Sequence, residues 1–593
     1  MSNFWSGLKG SGLFIFWSRS GYNQDAIFDT FIMDQLSGFR VADKLYKKSL
    51  LNAIACAAAL SIFFFGYDQG MMGGVNTSAD YAELMGFGYR DDTTGSVVVT
   101  DSLLQGGIVA VYYLGTLFGA FLGGWVGDKT GRIRTIALGS IWAILGAALQ
   151  CSAQNHVWMI CARAVNGIGT GVLNAIVPVW ATETAEHTSR GQFIAIEFTL
   201  NIFGVAVAYW LEFGLSFIDG GRGAFQWRFP IAFQIIPLLV LFGIIWFFPE
   251  SPRWLCKVGR DKEARHILAR LRGDEGEDRI RAEAEFQDII NIVQLERSTS
   301  KQNTYWNMLL DFGGATSGSL HTGRRVQLVI WLQIIQEWCG IAGITVYAPT
   351  IFGIAGYDAQ KSGWLSGLND TTYMFATLVC VFTLDRIGRR WTLYWGAAAQ
   401  AVSMFLIGGM SRGGINATNS GNTELAARYG AAAASFTFIY TAIFGATWLT
   451  VPWLYPAEIF PLEVRAKGNA WGVVGWSIGN GWLTLLCPVM FDSIGEVTFY
   501  IFGAVNILSI PMVWAVYPET NQRTLEEVNI LFSSPSPWVW DAEKHFADFQ
   551  AGNPTYVSGS RGNSITDPET GLRGGKNRES ADMVEKMQEK EAI

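Results

Sequence analysis

The sequence is poor in charge. Asp, Glu, Lys and Arg supply 16% of its 593 residues, where soluble domains carry about 25%, so a soluble enzyme and a disordered regulator are both excluded. Histidine is scarce at five residues, and no His-rich or Cys-rich cluster accompanies it, so neither a metal nor a cofactor is expected. The chain has no Gly-x-x-x-x-Gly-Lys-Ser/Thr loop to hold a nucleotide, which argues against an ATP-driven pump or a membrane enzyme. It has no basic run interleaved with aromatics, and its net charge is −7, so nucleic acid is not an expected partner. Cysteines number seven, and six of them (Cys56, Cys151, Cys161, Cys339, Cys380 and Cys487) lie in apolar stretches. They read as small buried hydrophobes, not as a disulfide scaffold.

What the chain has in quantity is apolar length. Half of it is hydrophobic and 14% aromatic, with 67 Gly and 24 Trp. The uncharged runs Ser102–Gly127, Trp391–Ser411, Gly468–Phe491 and Val497–Tyr517 each exceed the roughly 20 residues a helix needs to cross about 30 Å of hydrocarbon. In lipid every backbone amide must bond within its own segment, so these runs are expected as membrane helices. Twelve spans are expected, near 51–72, 103–126, 134–151, 157–181, 193–214, 228–248, 326–352, 363–384, 391–411, 431–455, 469–490 and 498–517.

Lys and Arg orient them. The short loops on one side carry nine (Lys129, Arg132, Arg134, Arg190, Arg386, Arg389, Arg390, Arg465 and Lys467), and 13 more lie between Pro249 and Arg325 on that side. The opposite loops hold six. Positive loops stay in the cytoplasm, so both termini are expected there, in a multi-pass protein of the plasma membrane. The first 46 residues show no convincing cleavable signal, and the first span is expected to serve as an uncleaved one. Residues 249–325 read as a linker with short amphipathic helices, and the polar tail from about 530 as disordered.

Internal repeats divide the chain. Asp128 with Arg132 is echoed by Asp385 with Arg389, an offset of 257; Glu183 with Arg190 by Glu458 with Arg465, 275; Pro249-Glu250-Ser251 by Pro518-Glu519-Thr520, 269. Three pairs at nearly one offset imply an all-α membrane protein of two pseudo-symmetric six-helix halves, with a substrate site between them near the midplane. The expected organisation is a cytoplasmic segment 1–50, an N-terminal bundle 51–248, a linker 249–325, a C-terminal bundle 326–517 and a tail 518–593.

At these repeats the chain resembles a sugar porter of the major facilitator superfamily, and more closely the fungal proton-coupled sugar transporters. The carriers run from about 50 to 530: Phe65-Gly66-Tyr67-Asp68-Gln69-Gly70; Arg163 through Gly167-Ile168-Gly169-Thr170-Gly171; Pro249 to Leu255; Tyr347-Ala348-Pro349; Val451-Pro452-Trp453; Glu458-Ile459-Phe460-Pro461; and Pro518-Glu519-Thr520 ahead of Arg523-Thr524-Leu525-Glu526-Glu527. Each is a weak signal alone, and their joint order is specific.

Asp68 stands in an uncharged run, where a carboxylate needs a partner or a proton, and Arg163 is the matching cation. The resemblance implies that Asp68 accepts the coupled proton and Arg163 controls its affinity; a static ion pair that fixes packing is the alternative. The charges Asp128, Arg132, Glu183, Arg190, Asp385, Arg389, Glu458 and Arg465 fall at cytoplasmic helix ends, and the resemblance implies that they lock the cytoplasmic gate. Orientation signalling is the plainer role.

A sugar site needs hydroxyl bonders around the ring and an aromatic plane. The family uses two glutamines and an asparagine in the seventh span; here stand Gln336, Glu337 and Ala342. Trp453 matches the tryptophan that packs on the sugar, and Phe198, beside Glu197, replaces a usual glutamine. Gln336, Glu337, Trp453, Glu197 and Tyr347 are the candidate substrate residues, with Asn369, Asn469, Asn480 and Trp476 as further lining candidates. Asn416-Ala417-Thr418, in an outer loop, fits a glycosylation acceptor. The expected function is import of a monosaccharide, hexose or pentose, by proton symport through alternating access. A facilitative sugar or polyol uniporter and a sugar sensor are the alternatives. Sugar or polyol, protons and the bilayer are the expected partners, with the protein a monomer.

Overall fold

The computed structural model describes residues 44–552 apart from 92–96, 186–189, 219–222, 300–304, 311–320, 462–463, 522, 524 and 535. The expected N-terminal segment falls almost wholly outside the described residues, as do the last 41 residues of the tail. The membrane helices are α1 (Lys48–Val75), α2 (Ser102–Thr130), α3 (Arg132–Cys151), α4 (His156–Thr184), α5 (Arg190–Leu215) and α6 (Phe225–Ile245). The second half contains α7 (Thr322–Ile354), α8 (Ala359–Ile387), α9 (Arg389–Asn419), α10 (Thr423–Ile459), α11 (Arg465–Ile494) and α12 (Val497–Val516). Eleven are long and apolar enough to cross a membrane by length and composition. The twelfth, α8, has 29 residues, about 43 Å of helix, but carries Lys361, Asp370, Asp385 and Arg386, which lower its hydropathy.

The helices begin where sequence chemistry supplies a cap. Asp101, Asn155, Asp358 and Asn422 each accept the amide of the third residue on, at the starts of α2, α4, α8 and α10, filling one of the donors that every helix leaves orphaned. All four lie on the face opposite the linker. On the linker face the two halves repeat one device. Gly131 joins α2 to α3 at φ 97° and Gly388 joins α8 to α9 at φ 94°, a backbone region that only glycine enters freely. Glu250 then accepts from the amides of Arg132 and Ile133, and Glu519 from those of Arg389 and Arg390. Each carboxylate caps the helix that follows the glycine and meets its positive end.

Within the first half α2 and α4 pack backbone to backbone. Gly115 and Gly119 face Gly167 and Gly171, and a Cβ at Gly119 would run into the Ile168 carbonyl. Small residues four apart are the usual means of close approach in lipid, where apolar burial drives no association.

The linker forms Pro252–Lys257, Asp261–Arg272, Gly276–Thr299 and Tyr305–Leu310. Ala264, Ile267, Leu268 and Leu271 of the second are buried, and Arg272 donates to the Thr184 and Ala185 carbonyls at the end of α4. Two features depart from the sequence expectation. A short antiparallel hairpin, Gly88–Arg90 with Val97–Val99, lies between α1 and α2. The tail contains the helices Leu525–Phe532 and Val539–Gly552, because an apolar stripe within its polar composition finds a surface: Val528, Leu531 and Phe532 are buried, and the Arg325 guanidinium lies 4.5 Å from the Phe532 ring. One compact unit runs through Ala542; Glu543 begins a second.

Candidate functional site

Two helices are broken where the halves meet. Helix α7 loses its regular turn at Glu337–Ile341, where Gly340 takes φ 111°. The break frees the Cys339 carbonyl, which receives the Tyr440 hydroxyl at 3.0 Å and the Asn506 amide at 2.9 Å, so that carbonyl is not stranded in the membrane interior. Helix α10 is interrupted between Ala446 and Val451. The Gln336 Nε2 donates to the exposed carbonyls of Trp448 and Leu449, at 2.8 and 3.1 Å, and Gln333 donates to that of Pro452 at 3.1 Å. The two breaks are sewn together by amides.

Around them lies a narrow cavity. Its polar wall includes Gln69, Asn201, Gln336 and Glu337; Phe65, Phe198, Trp453 and Trp476 form an aromatic wall. Trp453 lies 5.2 Å from Phe198 and 5.9 Å from Trp476 between ring centres, and Phe65 lies 5.1 Å from Trp476. Residues of α1, α5, α7, α8, α10 and α11 contribute, so both halves build it. The Asn201 Nδ2, Gln336 Oε1 and Glu337 Oε2 atoms are buried without a hydrogen-bond partner, leaving two acceptors and a donor for hydroxyl groups.

Three of the five candidate substrate residues therefore line the cavity: Gln336, Glu337 and Trp453. Gln336 does so with its oxygen alone, since its amide nitrogen is held by α10. Glu197 is buried but not in the lining, and Phe198 occupies that wall in its place. Tyr347 also falls outside it and donates to the Thr484 carbonyl at 2.9 Å, tying α7 to α11. Of the further candidates Trp476 lines the cavity; Asn369 instead accepts from the Thr441 hydroxyl at 2.8 Å. Sequence reasoning missed Phe65, Gln69 and Asn201 as lining residues. The first two stand in the same short motif as Asp68, and Asn201 lies one helical turn after Phe198, so helical spacing held the signal.

Asp68 and Arg163 come together as expected. Both are 1% exposed, with Nη1 to Oδ1 at 3.7 Å; Asn166 donates to the same oxygen at 3.1 Å, and the guanidinium lies 4.6 Å from the Tyr112 ring. The Asp68 Oδ2, and the Arg163 Nε and Nη1, make no hydrogen bond, so the pair is only partly satisfied. Phe65 and Gln69, which flank Asp68 on α1, line the cavity.

On the linker face the pairs Asp128–Arg132 and Asp385–Arg389 form as expected, and the same two arginines also take the glutamates. Arg132 lies 3.5 Å from Asp128 and makes two 3.0 Å bonds to Glu183. In the second half Arg389 lies 3.0 Å from Asp385 and bonds Glu458 at 2.6 Å. The expected partner of Glu458, Arg465, points elsewhere. The side chain of Arg190 lies outside the described residues, and Arg465 donates to the Phe460 carbonyl at 3.5 Å. Each network ties helices of its own half. Contact between halves near this face comes from Phe121 of α2 against Trp471 of α11, 5.2 Å apart, with Tyr305 of the linker 5.5 Å from Phe121, and from the Thr116 and Ser477 hydroxyls, 2.7 Å apart. Asn416 is exposed, but in the last turn of α9 and not in a loop, because that helix runs on to Asn419.

Comparison with known proteins agrees with this architecture. Residues 53–532 match the family model described as sugar (and other) transporter. The MFS-type transporter oryC of Aspergillus oryzae is 32% identical over 486 residues, 81% of this chain and 85% of that protein. The sugar transporter STL1 of Saccharomyces cerevisiae is 30% identical over 506 residues, 83% of this chain and 84% of the relative. The structure of the proton:xylose symporter XylE bound to 6-bromo-6-deoxy-D-glucose superposes with a TM-score of 0.66 at 22% identity, covering 82% of this chain and all of that one, a likeness of fold. With twelve helices in two halves, a family match over most of its length and a relative above 30% identity, the chain belongs to the sugar transporter family of the major facilitator superfamily.

Proposed function

We propose that the protein imports a monosaccharide, hexose or pentose, by proton symport through alternating access, with both termini in the cytoplasm of a plasma-membrane protein. The observation that carries this reading is the joining of two elements on α1: a buried carboxyl facing a buried guanidinium, and, on the flanking positions Phe65 and Gln69, the wall of the cavity. A proton on Asp68 removes the attraction to Arg163, and α1 and α4 are then free to reseat. The cavity wall moves with α1, so protonation and solute binding act on one element. Ring hydroxyls donate to Glu337 Oε2 and Gln336 Oε1 and accept from Asn201, while Trp453 covers the apolar face of the ring. Relatives and neighbours whose names speak of sugar and of proton:xylose symport support the reading, as does the excess of Lys and Arg on the linker face. The paired charge networks hold each half rigid, and the aromatic contact of Phe121, Tyr305 and Trp471 closes the cytoplasmic side. Uptake of a panel of radiolabelled pentoses, hexoses and polyols by cells lacking their own carriers, with and without a protonophore, tests it. Accumulation of a monosaccharide that the protonophore abolishes is expected; equilibration indifferent to the protonophore overturns the coupling.

A further inference from the structure

Two carboxyl groups outside both the cavity and the Asp68–Arg163 pair are buried at the seam between the halves, toward the face opposite the linker. Glu212 of α5 is 5% exposed; one oxygen accepts from the Gly74 amide of α1 at 3.0 Å and the other has no partner. Asp370 of α8 is 1% exposed and, apart from the amide of its neighbour Asn369, faces no donor among the described residues. Between them stands Tyr209, whose hydroxyl lies within electrostatic reach of both carboxyls. That hydroxyl donates to the Thr345 carbonyl of α7 at 2.5 Å, a bond between the two halves. Val205, one turn earlier on α5, lines the cavity, and so does Thr345. The bond therefore joins the two halves beside the cavity.

Among the described residues no cation acts on either carboxyl. The ionisable groups that face them are tyrosines: Tyr67 of α1 toward Glu212, Tyr347 of α7 toward Tyr209, and Tyr373 of α8 toward Asp370, the last also within reach of Glu337. Asp68 also faces Tyr67, but Arg163 answers its charge.

We propose that Glu212 and Asp370 form a second proton-binding site, separate from Asp68, whose occupation closes the seam at Tyr209 and Thr345. A neutral carboxyl tolerates a dry seam, whereas an ion without partners does not. Loss of either proton draws water between α5 and the helices α7 and α8, and the Tyr209 bond parts. Protons arriving from the outside then close the outer path after the solute has entered.

The test uses the full chain in intact cells with Val205→Cys, labelled from outside by a membrane-impermeant maleimide, with labelling of the parent chain subtracted. Divided at each pH by the rate of a solvent-exposed reference cysteine, which removes the thiol's own ionisation, labelling is expected to quicken several-fold as external pH rises from about 5 to about 8, and this ratio to become low and flat in Glu212→Gln, in Asp370→Asn and in the double variant. Three isosteric variants keep the outcome readable if one misfolds. A flat profile in the Val205→Cys chain overturns the proposal. So does an unchanged pH dependence in the double variant, or its loss on Asp68→Asn alone. Because labelling needs no transported solute, failure to find one bears only on the transport reading.

Discussion

Replacing Asp68 by Asn removes one charge from a pair whose members have little else to hold. At 3.7 Å and an effective dielectric constant of about 20, two unit charges attract by about 4 kcal/mol, and breaking a buried pair by removing one member destabilises by about 3–5 kcal/mol. Asparagine keeps the size of the side chain and can still receive the Asn166 amide. The variant is therefore expected to reach the membrane folded, with a lowered melting temperature. Its transport defect is predicted to be specific. With the membrane potential held at zero, a gradient of one pH unit is worth about 1.4 kcal/mol per proton, which sustains about tenfold accumulation for one proton per solute. In proteoliposomes the unsubstituted protein should approach that ratio, and Asp68→Asn should stop at equal concentrations inside and out while still exchanging labelled for unlabelled solute. A variant that accumulates solute as the parent does would refute Asp68 as the proton carrier, and one that also fails to exchange would assign the pair a packing role alone.

Other substitutions separate binding from architecture. Trp453→Ala removes the centre of the aromatic wall and should weaken apparent affinity about tenfold, about 1.4 kcal/mol, with expression intact; an unchanged KM for uptake would take Trp453 out of the site. Gln336→Leu strips the donors from the Trp448 and Leu449 carbonyls and should lower stability by about 1–3 kcal/mol, read as a fall in melting temperature, whereas Glu337→Gln should leave stability intact and shift the order of substrates in a competition panel. Gly119→Val drives a side chain into the backbone of α4 and should abolish the folded, monodisperse species in detergent; recovery of that species at parental yield would contradict the packing.

Much of this was open to a reading of residues alone. The repeats at Asp128 and Asp385 and at Glu250 and Glu519 foretold the halves, since the same glycine turn and the same carboxylate cap recur at each. Asp68 and Arg163 could be paired because each is a lone charge in an apolar run. Rotation about a helix axis was not legible. Glu197 and Phe198 are neighbours, and only geometry shows that the phenyl ring, not the carboxyl, faces the cavity. Nor does a sequence disclose a broken helix: Gly340 looks like any of 67 glycines, yet its backbone opens the turn that sends Gln336 to α10 as a structural tie. Glu212 and Asp370 went unnoticed as a site because they lie on different helices in different halves, with no spacing to connect them.

The central claim is that solute and proton move together, and the movement of protons themselves tests it most directly. In liposomes of purified protein with a pH-sensitive dye inside and no imposed gradient, addition of a transported monosaccharide outside should acidify the interior as protons enter with it. Entry of the labelled solute with no change in internal pH would contradict the account.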